Sequence, residues 1–301
     1  MDSNRREFIK KIGLSTAAVA VGTAVINSAK NSPKAASKII TTDAMHYDRI
    51  IGANDRVTVG VIGFSDRFKD TLSSAFLANA KELNMEFTAL SDIWNERREN
   101  GVNFLNRNQS SSVTGYRNNE ELYEKSKVDA VIISTADFQH AYHATEAVQA
   151  GRDAYVEKPL AESMEDNKMV LKAVKETKKI VQIGSQRRSG SNYQTAEKFI
   201  KSGKFGAIKF AEMSWNVNQP DRWRRPDLVA RLKEKDVDWK RYLINREKIN
   251  FDPRLYLEYR LFWPYSSGIP GQWMCHQIDT VHWFTGFKFP LSVIAGGGIY
   301  M

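Results

Sequence analysis

Two stretches far apart in the chain carry residue types that move protons. In Tyr155-Val156-Glu157-Lys158-Pro159-Leu160 a carboxylate, an amine and a rigid imide close an apolar run that begins at Asp153. A buried strand ending in Lys-Pro delivers its amine to the carboxyl end, where open α/β sheets bind ligands. Desolvation and neighbouring charge there can depress a lysine pKa until the amine fills or supports a general-base role. The second stretch runs from Gly271 to Trp283. It spaces His276, Asp279 and Trp283 at i, i+3 and i+7, one face of a helix. A histidine so placed is either a proton acceptor or a satisfied core residue, and the presence of Lys158 elsewhere favours the first.

These residues need a frame. Val57–Ile62 reads as a buried strand ending at Gly63, with further strands at Met85–Leu90, Ala130–Ser134, Ala154–Glu157 and Lys179–Ile183. Helices are expected between them at Lys69–Leu83, Asn95–Asn106, Asn119–Lys127, His140–Ala150 and Met164–Thr177. Strict alternation of strand and helix implies parallel pairing with helical crossovers. The expected fold is therefore α/β, a doubly wound parallel sheet over residues 55–187. A second, α+β domain on a mostly antiparallel sheet is expected over 188–301. Its elements are a helix at Asn192–Ser202, strands at Ile208–Asn216 and Leu291–Ala295, and a helix from about Trp273 to Phe284.

The strand-glycine opening and the Glu-Lys-Pro triplet together resemble the Gfo/Idh/MocA family of glucose–fructose oxidoreductases and inositol dehydrogenases, over about residues 55–300. The resemblance implies an NAD-dependent oxidoreductase with a Rossmann domain, acting on a sugar, inositol or related polyol, with Lys158 at the nicotinamide and the substrate hydroxyl. The helix of His276 resembles the family's substrate-contacting histidine followed by aspartate, Asp279 here. Gln272 stands where the family commonly has an aspartate. An amide can hold a hydroxyl but cannot take its proton, so proton transfer falls to His276 with Lys158 polarising the oxygen.

In the cofactor loop Gly63 fits the first glycine of the fingerprint, whereas Ser65 and Phe68 replace the second and third. Gly63, Phe64, Ser65 and Arg67 are the expected loop contacts. Asp92 closes the next strand; it either accepts ribose hydroxyls, favouring NAD over NADP, or caps the following helix. Thr135, Asp137 and His140 resemble the loop beside the nicotinamide ribose, and Glu157 joins them; His140 could equally be a cap. Arg187, Arg260 and Tyr265 are candidate substrate contacts or structural residues. No metal is implied. Two other functions stay open: an NAD-dependent glycosidase working by transient oxidation and elimination, and a non-catalytic sugar-binding protein on a dehydrogenase scaffold.

Composition narrows the partners. The 301 residues are 42% hydrophobic and 26% charged, as in a soluble globular protein, and the single Cys275 excludes an internal disulfide framework. Residues 1–40 supply +5 of the net +9, so the remaining surplus argues against nucleic acid. Between Asp221 and Lys248 ten basic residues alternate with six acidic ones, as in a solvated face or surface loop. Arg5-Arg6-Glu7-Phe8-Ile9-Lys10 and the mild apolar run Ile12–Ile26 resemble a twin-arginine export signal. The run is too short for a membrane span. Residues 1–54 are thus expected to be leader and linker, engaging the twin-arginine machinery and sending the protein to the periplasm. A homo-oligomer is also expected. The family's second domain usually continues into further strands, so the chain is expected to be truncated after Met301.

Overall fold

The computed structural model describes residues 56–298 except 218 and 220. The expected leader, linker and export signal lie outside the described residues, as does Met301.

Six parallel strands form one sheet: β1 (Val57–Ile62), β2 (Met85–Ser91), β3 (Thr114–Tyr116), β4 (Ala130–Ile133), β5 (Asp153–Val156) and β6 (Val181–Ile183). Their order is β3-β2-β1-β4-β5-β6, the doubly wound arrangement whose winding reverses beside β1. Every residue of β4 and β5 is buried, as the near-continuous apolar runs require of strands covered on both faces. Helices α1 (Ser73–Asn79), α2 (Asn95–Asn108), α3 (Asn119–Lys125), α4 (His140–Gln149) and α5 (Met164–Thr177) supply the crossovers. Local chemistry starts two of them: Asn118 accepts the Glu121 N–H at α3, and Ser163 accepts the Asp166 N–H at α5. One core packs Val59, Phe68, Phe87 and Leu105, and the other packs Ile62, Val131, Ala144 and Val170.

Beyond β6 the described chain is helical: α6 (Ser191–Lys201), α7 (Pro226–Arg231), α8 (Trp239–Leu243), α9 (Pro253–Leu257), α10 (Gly268–Gln272) and α11 (Cys275–Thr285). The strands expected at Ile208–Asn216 and Leu291–Ala295 are not formed. Both segments run without ladder partners among the described residues, and Phe210, Leu291 and Ile294 are largely exposed. Alternation alone cannot make a strand whose N–H and C=O groups find no neighbour. What packs on the sheet instead is an aromatic cluster. Trp239, Tyr242, Tyr259 and Tyr265 close over Ala136 and Phe138 in the loop after β4, and Trp94 bridges Val237. This cluster roofs the carboxyl end of the sheet. No helix among the described residues is long and apolar enough to cross a membrane.

Candidate active site

A cleft of about 1100 Å³ opens at the carboxyl ends of the central strands, under that roof. Sites for one small molecule usually run to ~300–1,000 Å³, so this one has room for two ligands.

At one end lies the loop after β1. Gly63 has φ +82°, and a Cβ there would stand 2.7 Å from Thr135 Cγ2, so only glycine fits the turn. The two phenylalanines that follow turn into the core. Phe64 packs over Gly101 and against Phe104, and Phe68 is fully buried against Phe87. The missing third glycine therefore leaves the cleft open. The helix simply begins wide, in a π-turn over Phe68–Leu72 in which the Ser73 N–H bonds the Phe68 carbonyl. Ser65 ties the loop: its Oγ accepts the Phe68 N–H and donates to Ser134 Oγ, which donates to the Gly63 carbonyl. The Asp66 and Arg67 N–H groups, first in the helix, have no partner among the described residues, an arrangement suited to a pyrophosphate. The loop thus fits a dinucleotide.

Asp92 lines the same end, and its two oxygens accept the Phe64 N–H (2.8 Å) and the Trp94 N–H (2.9 Å). Burial raises its pKa against those two bonds and the nearby Arg97 and Arg98. Of its two expected roles, bracing and capping is the one seen in its bonds, although the carboxylate still faces the cleft.

Lys158, after β5, sits at the middle. Its Nζ donates to the Gln272 carbonyl at 2.7 Å, and burial lowers its pKa. Glu157 beside it is buried and paired with Arg67 Nε at 3.0 Å. His276 projects from α11 with its ring stacked near Trp215. Burial, then the charges of Lys158, Arg187 and Arg67, push its pKa down to about 4, so the imidazole is neutral at pH 7. A neutral imidazole and a lysine side chain facing one cleft are a proton acceptor and an oxygen-polarising group.

The cleft also gathers Thr135, Asp137, His140, Arg187, Arg260 and Gln272. His140 is neither a cap nor a free contact: its buried ring lies between the Pro159 carbonyl (2.7 Å) and the Thr135 carbonyl (3.2 Å), joining β4 to the Lys158 loop. Asp137 accepts the Tyr259 hydroxyl at 2.8 Å. The Gln272 amide donates to Ser266 Oγ. Two expected substrate contacts are corrected. Asp279 is outside the cleft lining, held in a forked pair by Arg188 at 2.7–3.0 Å. Tyr265 is buried against Phe138, ring centroids 5.3 Å apart, in the aromatic roof. Sequence reasoning missed Trp215, Arg222, Trp223, Tyr259 and Trp273, all of which line the cleft. The Trp- and Arg-rich composition from 213 onward was the available signal.

The strand order, the glycine turn and the cleft at the carboxyl ends define a dinucleotide-binding α/β protein. Comparison narrows the class: residues 57–185 match the family described as "Oxidoreductase family, NAD-binding Rossmann fold", Gfo/Idh/MocA. That match covers the six-stranded sheet and is to an NAD-binding Rossmann domain. A "Glycosyl hydrolase family 109 protein" of Shewanella pealeana is 23% identical over 258 residues, 84% of this chain and 53% of that protein. The "scyllo-inositol 2-dehydrogenase (NAD(+))" of Bacillus subtilis is 38% identical over 86 residues, 29% of this chain and 25% of that protein. A solved structure from Desulfitobacterium hafniense, of a protein proposed to be an NADPH-dependent oxidoreductase, superposes with a TM-score of 0.51 at 19% identity. It covers 77% of this chain and 55% of its own, and shows the fold alone. The chain spans about half the length of the first of these relatives, 53%.

Proposed function

We propose that the protein is an exported NAD-dependent oxidoreductase that moves a hydride between the nicotinamide and a sugar, inositol or related polyol. The observation that carries this is the convergence of Lys158 and neutral His276 on one cleft with the Gly63–Arg67 loop. The loop residues and the Asp66 and Arg67 N–H groups would hold the pyrophosphate, Asp92 the adenosine ribose, and Thr135 and Lys158 the nicotinamide end. NAD, when bound, supplies the hydride acceptor. His276 takes the proton of the substrate hydroxyl on an imidazole nitrogen. Lys158, fixed by the Gln272 carbonyl, polarises the same oxygen.

The test is transfer of deuterium from labelled sugars and polyols to bound NAD, read by mass spectrometry. Transfer in the full chain and its loss in folded Lys158→Ala is the expected result. Full transfer in Lys158→Ala sinks the assignment. Export rests on Arg5-Arg6. Changing both to lysine should leave the protein in the cytoplasm with its leader attached, and normal processing of that variant would refute the twin-arginine reading.

A second reading uses the same site. The long stretch shared with a protein named for glycoside hydrolysis favours transient oxidation, elimination of the aglycone and return of the hydride. Aryl-glycoside cleavage that requires NAD but accumulates no NADH would select it.

A further inference from the structure

We propose that the sugar held in this cleft is anionic, a ring bearing a carboxylate, sulfate or phosphate that is met by Arg187 and Arg222. The inference rests on the hydride-transfer reading of the same cleft and adds the chemical class of its substrate.

The residues that sequence reasoning missed form one continuous stack at the His276 end. Arg187 lies over Trp215 at 5.2 Å, Trp215 meets Trp273 at 5.3 Å, and Trp273 carries Arg222 at 4.6 Å. Arg222 also covers Trp223, which Arg260 faces from the other side at 4.6 Å. A guanidinium stacked on indole has its planar faces occupied while its N–H donors radiate from the edge. Those edges are what a carboxylate or phosphate oxygen recognises. An indole wall beside them suits the C–H face of a pyranose.

The charge balance at this end is one-sided. Three carboxylates on the lining are already engaged: Glu157 with Arg67, Glu258 with Arg224 and the Arg225 N–H, and Asp137 with the Tyr259 hydroxyl and Arg260 at 3.8 Å. Arg187 and Arg222 are in no ion pair among the described residues. The cofactor pyrophosphate does not account for them, because it is met by the Gly63–Arg67 turn and the free helix N–H groups there. The His276 pKa is lowered first by burial and then by the charges of Lys158 and Arg187, which face it in the same cleft. A neutral hexose could stack on the tryptophans, but it would leave the two arginines in a shared cleft uncompensated. An anionic substituent offsets them and fixes which way round the ring enters.

The test is calorimetric titration of the full chain, with and without saturating NAD, using D-glucuronate, D-glucose 6-phosphate, D-glucose 6-sulfate and D-glucose as probes of one ring. At low ionic strength at least one anion should bind tenfold or more tighter than glucose, roughly 1.4 kcal/mol. The gap should shrink in about 0.5 M NaCl, where screening acts over a few ångströms. The anion that binds best names the substituent. Replacing Arg187 and Arg222 together by glutamine should cost that anion at least about tenfold and change glucose by less than about threefold. The inference is overturned if glucose binds as well as every anion, or if none of the four binds. It is also overturned if a folded Arg187→Gln/Arg222→Gln protein keeps the discrimination. Anion preference without NAD binding or deuterium transfer would sink the oxidoreductase reading and leave this one standing.

Discussion

At the residue scale the chemistry depends on which proton each group carries. His276 must be neutral to accept one, and its pKa near 4 keeps it neutral far below the ordinary imidazole value. The acid limb of kcat/KM should therefore fall near pH 4 rather than 6.5, because rate is lost only where the base form is lost. A limb near 6.5, or one unchanged in His276→Gln, would remove His276 from the role. The same shift acts on folding. The unfolded imidazole takes a proton below about pH 6.5 that the folded one does not take until about 4, so stability declines across that interval as pH falls. Lys158→Ala and His276→Ala should each lower turnover by roughly 10²–10⁴-fold. The proposed mechanism has both act on one oxygen, so the double variant should be little worse than the poorer single one, as deuterium transfer can measure. Gln272→Ala should cost far less. Lys158 is anchored by the Gln272 main-chain carbonyl, which alanine retains.

At the scale of elements the instructive piece is the turn from β1 into the first helix. By its glycine pattern alone it is a damaged fingerprint, yet both phenylalanines are buried in the core, and Phe68, at the third glycine's place, stays out of the cleft lining. Phe68→Gly would restore the pattern and should still lower stability by about 3–5 kcal/mol, the range for emptying a phenylalanine site. Gly101→Ala should cost about 1–3 kcal/mol by overpacking, since its Cβ would meet Leu90 Cδ1 at 2.6 Å and Phe64 Cγ at 2.8 Å. Thermal melts read both, and a rise in melting temperature for Phe68→Gly would contradict this account of the loop. The alternation of strands and helices was legible because β4 is an uninterrupted apolar run, β5 is apolar after Asp153, and α5 carries its own cap. The three residues of β3 were too few to show a period. Segment 208–216 alternates like a strand, but pairing is decided by a neighbour, and no neighbour is there. Lys158 and His276 could be found from local spacing. The Arg187–Trp215–Trp273–Arg222 stack could not, because its members lie on three separate stretches that only tertiary packing aligns.

At the scale of the whole molecule the cleft is electrically divided, and the division sets cofactor choice. At the adenosine end Asp66 engages Arg97 at 2.8 Å and Arg225 at 3.8 Å, so neither arginine is free of a counter-charge for a 2′-phosphate. Asp92 adds a carboxylate at the cleft wall there. A 2′-phosphate would meet that carboxylate and find its cationic partners already engaged, whereas ribose hydroxyls can donate to the remaining lone pairs of Asp92. NAD should bind at least tenfold tighter than NADP, a difference of about 1.4 kcal/mol. Because a ligand that binds only the folded state stabilises it by mass action, about 2.7 kcal/mol at a hundredfold excess over Kd, the preference is readable in the melting temperature of the full chain. At equal concentration NAD should raise it more than NADP. Asp92→Asn should narrow the gap by removing the repulsion, and should also lower the melting temperature without ligand, since an amide presents one acceptor oxygen where the carboxylate serves two backbone N–H groups. Equal shifts from the two cofactors in the wild-type protein would confine Asp92 to bracing the Gly63–Arg67 loop and overturn the preference for NAD.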